Sequence, residues 1–161
     1  MKKIPMLWLL AAPYLYIIIC ALKGLTGATL MLWPILFALI LLPNMVYAFL
    51  LPRRGYTEQQ LLFWDMLIKL LYIPVYLLTF TLVLMLHILI LPLIPFLFLF
   101  DYSLLLASSM YGISGIYRSC QHGRLSKKQG AIHIMLHFFF CFDVFSAICC
   151  YVRYQRGQKA F

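Results

Sequence analysis

Three ionisable side chains, His87, Asp101 and Asp143, stand inside long apolar stretches of this sequence. Left unpaired in hydrocarbon, such groups are expensive, so they pair, face a water-filled cavity, or carry protons and ions. His87 lies five residues before Pro92 and Asp101 six after Pro95. If 92–95 is a hairpin turn, a rise of about 1.5 Å per residue puts both about 8–9 Å from it. They can then pair across two helices. Asp143, mid-way along the last apolar segment, needs a hydroxyl or a basic side chain from another helix. His133, His137 and Cys141 recur every four residues and share one helix face. That spacing suits one side of a metal or b-type haem site. The second ligand set is missing, and polar helix packing near the internal interface accounts for the face better. We assign no metal and no cofactor.

Gly112-Ile-Ser-Gly115 matches the G-x-S-G pattern of rhomboid-type intramembrane serine proteases, with His133 or His137 across the following loop. The further motifs of that family are absent. Ser108, Gly112 and Gly115 instead form a small-residue stripe that lets helix backbones approach closely. No phosphate-binding loop, dinucleotide fingerprint or HExxH motif is present, so no catalytic residue is assigned and the chain reads as non-enzymatic.

The medium that gives these residues their meaning follows from composition. Apolar residues make up 65% of the 161 positions and charged residues 11%. A soluble domain has roughly 45–50% and about 25%, so the solvent for most of this surface is lipid. The apolar runs are continuous, which excludes the alternating strands of a β-barrel. The net charge of +9 sits in short clusters between those runs, where the positive-inside rule places it. Nucleic acid is therefore not a partner. The basic loop Arg118–Lys128 is suited to anionic lipid headgroups. The five cysteines form no C-x-x-C pair and read as free thiols.

The expected architecture is all-α: one membrane domain, 1–161, with four or five spans. The spans fall at about 4–22, 30–51, 74–91, 96–117 and 130–152. The run 4–22 is long for a signal sequence and is followed by no clean cleavage site, so it reads as a retained span. Pro34 and Pro43 should bend the second span, with Asn44 a candidate to re-satisfy a freed carbonyl. Thr57 and Gln60 fit a capping box. It opens a helix over about 57–73 whose Glu58, Asp65, Lys69 and Tyr72 recur at helical spacing. This stripe predicts an amphipathic helix at the interface, ending at Pro74, with Asp65 and Lys69 paired four residues apart. A basic tail, 153–161, closes the chain.

With the amino terminus inside and five spans, Lys2, Lys3, Arg53, Arg54, Lys69, Arg118, Arg124, Lys127 and Lys128 fall inside. Lys23, Arg153, Arg156 and Lys159 fall outside. The segment 130–152 inserts poorly, since a mid-helix Asp costs about 2.5–3.5 kcal/mol and each Leu, Ile or Phe returns only about 0.3–0.6. If it is interfacial or re-entrant, twelve basic residues stand against one.

The stretch from Phe100 to Gly115 (Phe-Asp-Tyr-Ser-Leu-Leu-Leu-Ala-Ser-Ser-Met-Tyr-Gly-Ile-Ser-Gly), Ser126-Lys127, and Phe140-Cys-Phe-Asp-Val-Phe-Ser-Ala147 resemble a family of small, uncharacterised bacterial polytopic membrane proteins. The resemblance implies a multi-pass fold in a bacterial cytoplasmic membrane and carries over no activity and no site residue. Action through helix–helix association, with a membrane partner or a second copy, is the first functional expectation. A small transporter or channel using His87, Asp101 and Asp143 is the alternative, and an intramembrane hydrolase or haem protein is a remote one.

Overall fold

Apolar runs this long, punctuated by Gly, Pro and capping hydroxyls, satisfy their backbone polar groups as helices. The computed structural model describes residues 4–86 and 93–159, and their regular structure is entirely helical. The α-helices are α1 (Ile4–Lys23), α2 (Gly27–Leu36), α3 (Leu42–Leu50), α4 (Glu58–Leu86), α5 (Leu93–Gln121), α6 (Lys127–Leu136) and α7 (Phe142–Lys159). Among the described residues four helical runs are long and apolar enough to cross a membrane: Ile4–Lys23, Gly27–Arg53, Glu58–Met85 and Ile94–Gln121.

Local chemistry sets the helix starts. Thr26 and Thr29 form a reciprocal capping box at α2. At α4 the Thr57 N–H donates to Gln60 Oε1 (3.2 Å) and the Gln60 N–H donates to Thr57 Oγ1 (3.3 Å), as the sequence pattern requires. Between Pro34 and Pro43 the backbone widens into a π-helical turn, Phe37–Leu41, which joins α2 to α3. Asn44 Nδ2 donates to the Ile40 carbonyl at 3.1 Å, one residue on from the Leu39 carbonyl that Pro43 leaves without its helical donor.

The chain divides into two units, Met1–Asn44 with Leu71–Leu104, and Met45–Leu70 with Leu105–Phe161. In the first, the rings of Tyr16, Trp33 and Phe100 meet with centroids 4.3–5.5 Å apart. Trp33 Nε1 donates to Ser103 Oγ at 3.1 Å, and Ser103 donates on to the Phe100 carbonyl at 2.7 Å. Tyr72 donates its hydroxyl to the Leu9 carbonyl at 2.5 Å. Asp101 accepts from Thr79 Oγ1 at 2.7 Å, while its Oδ1 has no partner among the described residues. Thr79→Val keeps the shape and removes this donor. It is expected to lower stability by about 1.5–3 kcal/mol, read as a fall in thermal midpoint in detergent, with Thr79→Ser close to wild type.

The second unit packs Leu62 of α4, Ile116 of α5 and Cys150 of α7 as its apolar centre, with Leu125, Ile134 and Tyr154 against it. Gly115 brings α5 close to α4: a Cβ there would lie 3.1 Å from the Leu62 side chain. The small-residue stripe is therefore engaged within the chain.

Two expectations need correction. The helix expected at 57–73 and the span expected at 74–91 are one continuous helix, α4, running through Pro74. Proline removes a single hydrogen bond, and neighbouring groups can re-satisfy the backbone beside it. Here Tyr14 donates its hydroxyl to the Leu71 carbonyl. The segment 130–152 is not one helix. It breaks at 137–141, where Cys141 takes a left-handed conformation (φ 68°), and α7 returns along α6, with His133 and Ser146 in contact. The 92–95 punctuation falls partly outside the described residues, and α5 is already helical at Leu93.

Candidate functional site

Asp65 and Lys69 lie one helical turn apart on α4, and their side chains are 0% exposed. The stripe read as wet is therefore dry. Lys69 Nζ lies 3.1 Å from Asp65 Oδ1 and 3.8 Å from Asp143 Oδ2, and it donates to the Asp143 backbone carbonyl at 3.5 Å. On the other side of Asp65, Oδ2 lies 3.3 Å from His137 Nε2, and that imidazole is also fully buried. His137 Nδ1 has no partner among the described residues.

The break in 137–141 makes this arrangement possible. His137 is the C-cap of α6 and Asp143 belongs to the first turn of α7, so the turn delivers both side chains to one stretch of α4. Ser109 of α5 holds the turn, donating its hydroxyl to the His137 carbonyl at 2.9 Å. The Val144 N–H donates to Asp143 Oδ1 at 2.7 Å. Gly112 leaves the necessary room, because a Cβ there would collide with His137 Nε2 and the Asp65 carboxylate.

Two carboxylates and one ammonium leave one net negative charge, which one further proton neutralises. Burial pushes the Asp143 carboxyl above its usual range, against the pull of the Lys69 ammonium. Helices α4, α5 and α7 and the C-terminal end of α6 all reach this site. The chain belongs to the Family of unknown function (DUF6652), whose model matches residues 3–156. The match takes in all four cluster residues. No curated protein and no solved structure matches.

The other candidate residues are placed as follows. His87 lies outside the described residues. Asp101 belongs to the first unit with Thr79, and Asp143 to the second with Lys69. His133, His137 and Cys141 part company: His133 Nδ1 lies 2.9 Å from Ser146 Oγ, His137 faces Asp65, and Cys141 is exposed in the turn. Burial pushes the His133 imidazole below its ordinary value. Ser114 is buried, and its Oγ has no hydrogen-bond partner among the described residues. Among the described residues no three His, Cys, Asp or Glu side chains converge as a metal set, and the five cysteines are free.

A second ionic group was not foreseen. Glu58, at the start of α4, pairs with His122 Nδ1 and with Arg124 Nη1 (3.1 Å). Arg124 also lies over the Tyr154 ring, 5.1 Å from its centre. With four acidic residues among thirteen basic ones, an excess of bases surrounds every carboxylate, and Glu58, Asp65 and Asp143 are each paired with one. Spacing alone does not show which.

Proposed function

We propose that this is a non-enzymatic, multi-pass membrane protein whose working site is the Asp65–Lys69–His137–Asp143 cluster, a proton-exchange centre of a small proton-linked transporter. The burial of Lys69 between two carboxylates supports this reading most. An ionic cluster in a dry core stabilises a fold no better than apolar packing of the same volume, so its retention favours use of its charge. A four-span reading with the amino terminus inside gathers Arg53, Arg54 and the 118–128 loop on the cytoplasmic side, with Lys23 opposite, as the positive-inside rule favours. The α6–α7 hairpin is then re-entrant, and the tail Arg153, Arg156 and Lys159 stays inside. Phe139, Phe142 and Phe145 are exposed around its turn, which suits a tip dipped into acyl chains. The same face supports a second reading, docking on the helix of a membrane partner or of another copy.

The test is proton flux into liposomes under an imposed potential, together with infrared detection of a carboxylic-acid C=O stretch. Wild type is expected to conduct, and Asp143→Asn to fall to the level of empty liposomes and lose the band. Because the Asp143 value is raised, the folded protein holds this proton at pH values where an exposed carboxylate has lost it. The contribution to stability is full below the ordinary carboxylate range and declines as pH rises through the folded value. Flux equal in wild type and Asp143→Asn would leave the cluster as a structural clamp only.

A further inference from the structure

A cavity of about 760 Å³ opens where the α5–α6 turn faces α7, within the second unit, and none of the four cluster residues lines it. Its floor is apolar, made by Leu62, Ile116 and Cys150, and its wall carries Arg124, Arg153 and His122. The volume falls within the range of small-molecule sites, which combine an apolar lining with a few placed polar groups.

Charge decides what fits. The one carboxylate close to this wall among the described residues is Glu58, and it is already shared by Arg124 and His122. Arg124 is further held by the Tyr154 hydroxyl and ring, so it is fixed in place. Arg153 has no carboxylate partner among the described residues and is exposed. The cavity therefore presents a pre-positioned guanidinium, a second one lacking a counter-ion, and an apolar floor. A guanidinium fork matches phosphate oxygens in paired hydrogen bonds. The floor matches a short apolar portion attached to the anion.

We propose that this cavity binds a phosphate mono- or diester carrying an apolar portion, with Arg153 and Arg124 holding the phosphate and Leu62, Ile116 and Cys150 receiving the rest. An anionic lipid headgroup and a soluble organophosphate share this chemistry, and the basic end of a membrane protein meets both. The site does not depend on proton exchange at the cluster.

The experiment uses the full chain in a neutral detergent, with binding read by native mass spectrometry and by thermal shift. The probes are phosphatidylglycerol, phosphatidylcholine as the zwitterionic control, and glycerol phosphate as a headgroup without acyl chains. Phosphatidylglycerol is expected to bind and stabilise. Arg153→Gln should weaken it by about ten- to a hundredfold, the range for losing hydrogen bonds to a charged group. Among the described residues Arg153 takes part in no ion pair, so this variant should fold as wild type does. Arg124→Gln should act in the same direction. Lys127→Gln, in the same basic region but off the cavity wall, should change little. Competition by glycerol phosphate supports the site with a soluble ligand, and its failure while phosphatidylglycerol binds supports it with a lipid. Equal weakening by Arg153→Gln and Lys127→Gln marks diffuse attraction and overturns the proposal. So does the absence of binding by both phosphate probes.

Discussion

Lys69→Met is expected to destabilise the protein by about 3–5 kcal/mol, the range for breaking a buried ion pair by removing one partner. Methionine fills the volume, so the loss is of charge. Asp65 and Asp143 would then face each other's field without the ammonium 3.1 Å and 3.8 Å away, in a place that water does not reach. The measurement is thermal or denaturant unfolding in detergent, followed through the tryptophans. A further variant separates charge from packing. Lys69→Met combined with Asp65→Asn and Asp143→Asn has no buried charge to strand, and it should recover most of the loss. If Lys69→Met unfolds within about 1 kcal/mol of wild type, within the reach of ordinary substitutions, the ammonium is not holding these helices together.

Gly112→Ala is the second large effect. The added methyl group would collide with the His137 ring and the Asp65 carboxylate, both fully buried, with the carboxylate held on its other side by Lys69. Overfilling a packed site costs about 1–3 kcal/mol, and here the displaced groups also lose their ion contact. The protein should unfold earlier, and the His137–Asp65 pair should separate, read by a change in the imidazole nitrogen chemical shifts. Gly27→Ala is the control: its Cβ meets nothing within 4 Å, and alanine is the better helix former. Equal stability of the two alanine variants would mean that the cluster is loosely packed.

Some of this was legible in the residues alone. The Thr57–Gln60 cap and the four-residue pairing of Asp65 with Lys69 follow from short-range geometry and appear as read. Burial of that pair was not legible. A stripe of charge on one helix face looks the same whether it meets headgroups or the polar side chains of another helix. Only the partners, His137 and Asp143, more than sixty residues away, distinguish the two. The break at 137–141 was also hidden, because His-Phe-Phe-Phe-Cys contains neither Gly nor Pro, and Cys141 adopts a conformation usually left to glycine. Proline misled in the opposite sense at position 74. One lost hydrogen bond ended the expected helix but does not end the real one.

The five-residue turn carries a consequence for how this sequence can vary. His137 and Asp143 approach α4 from two different helices, so the number of residues separating them matters more than their kind. Inserting or deleting one residue in 138–141 would change the length of the turn that sets where α7 starts relative to α6. Asp143 would swing off Lys69 and Ser146 off His133 together, while an exchange of one phenylalanine for leucine would leave both in register. Among natural variants, tolerance at these positions should therefore extend to side chains and stop at chain length.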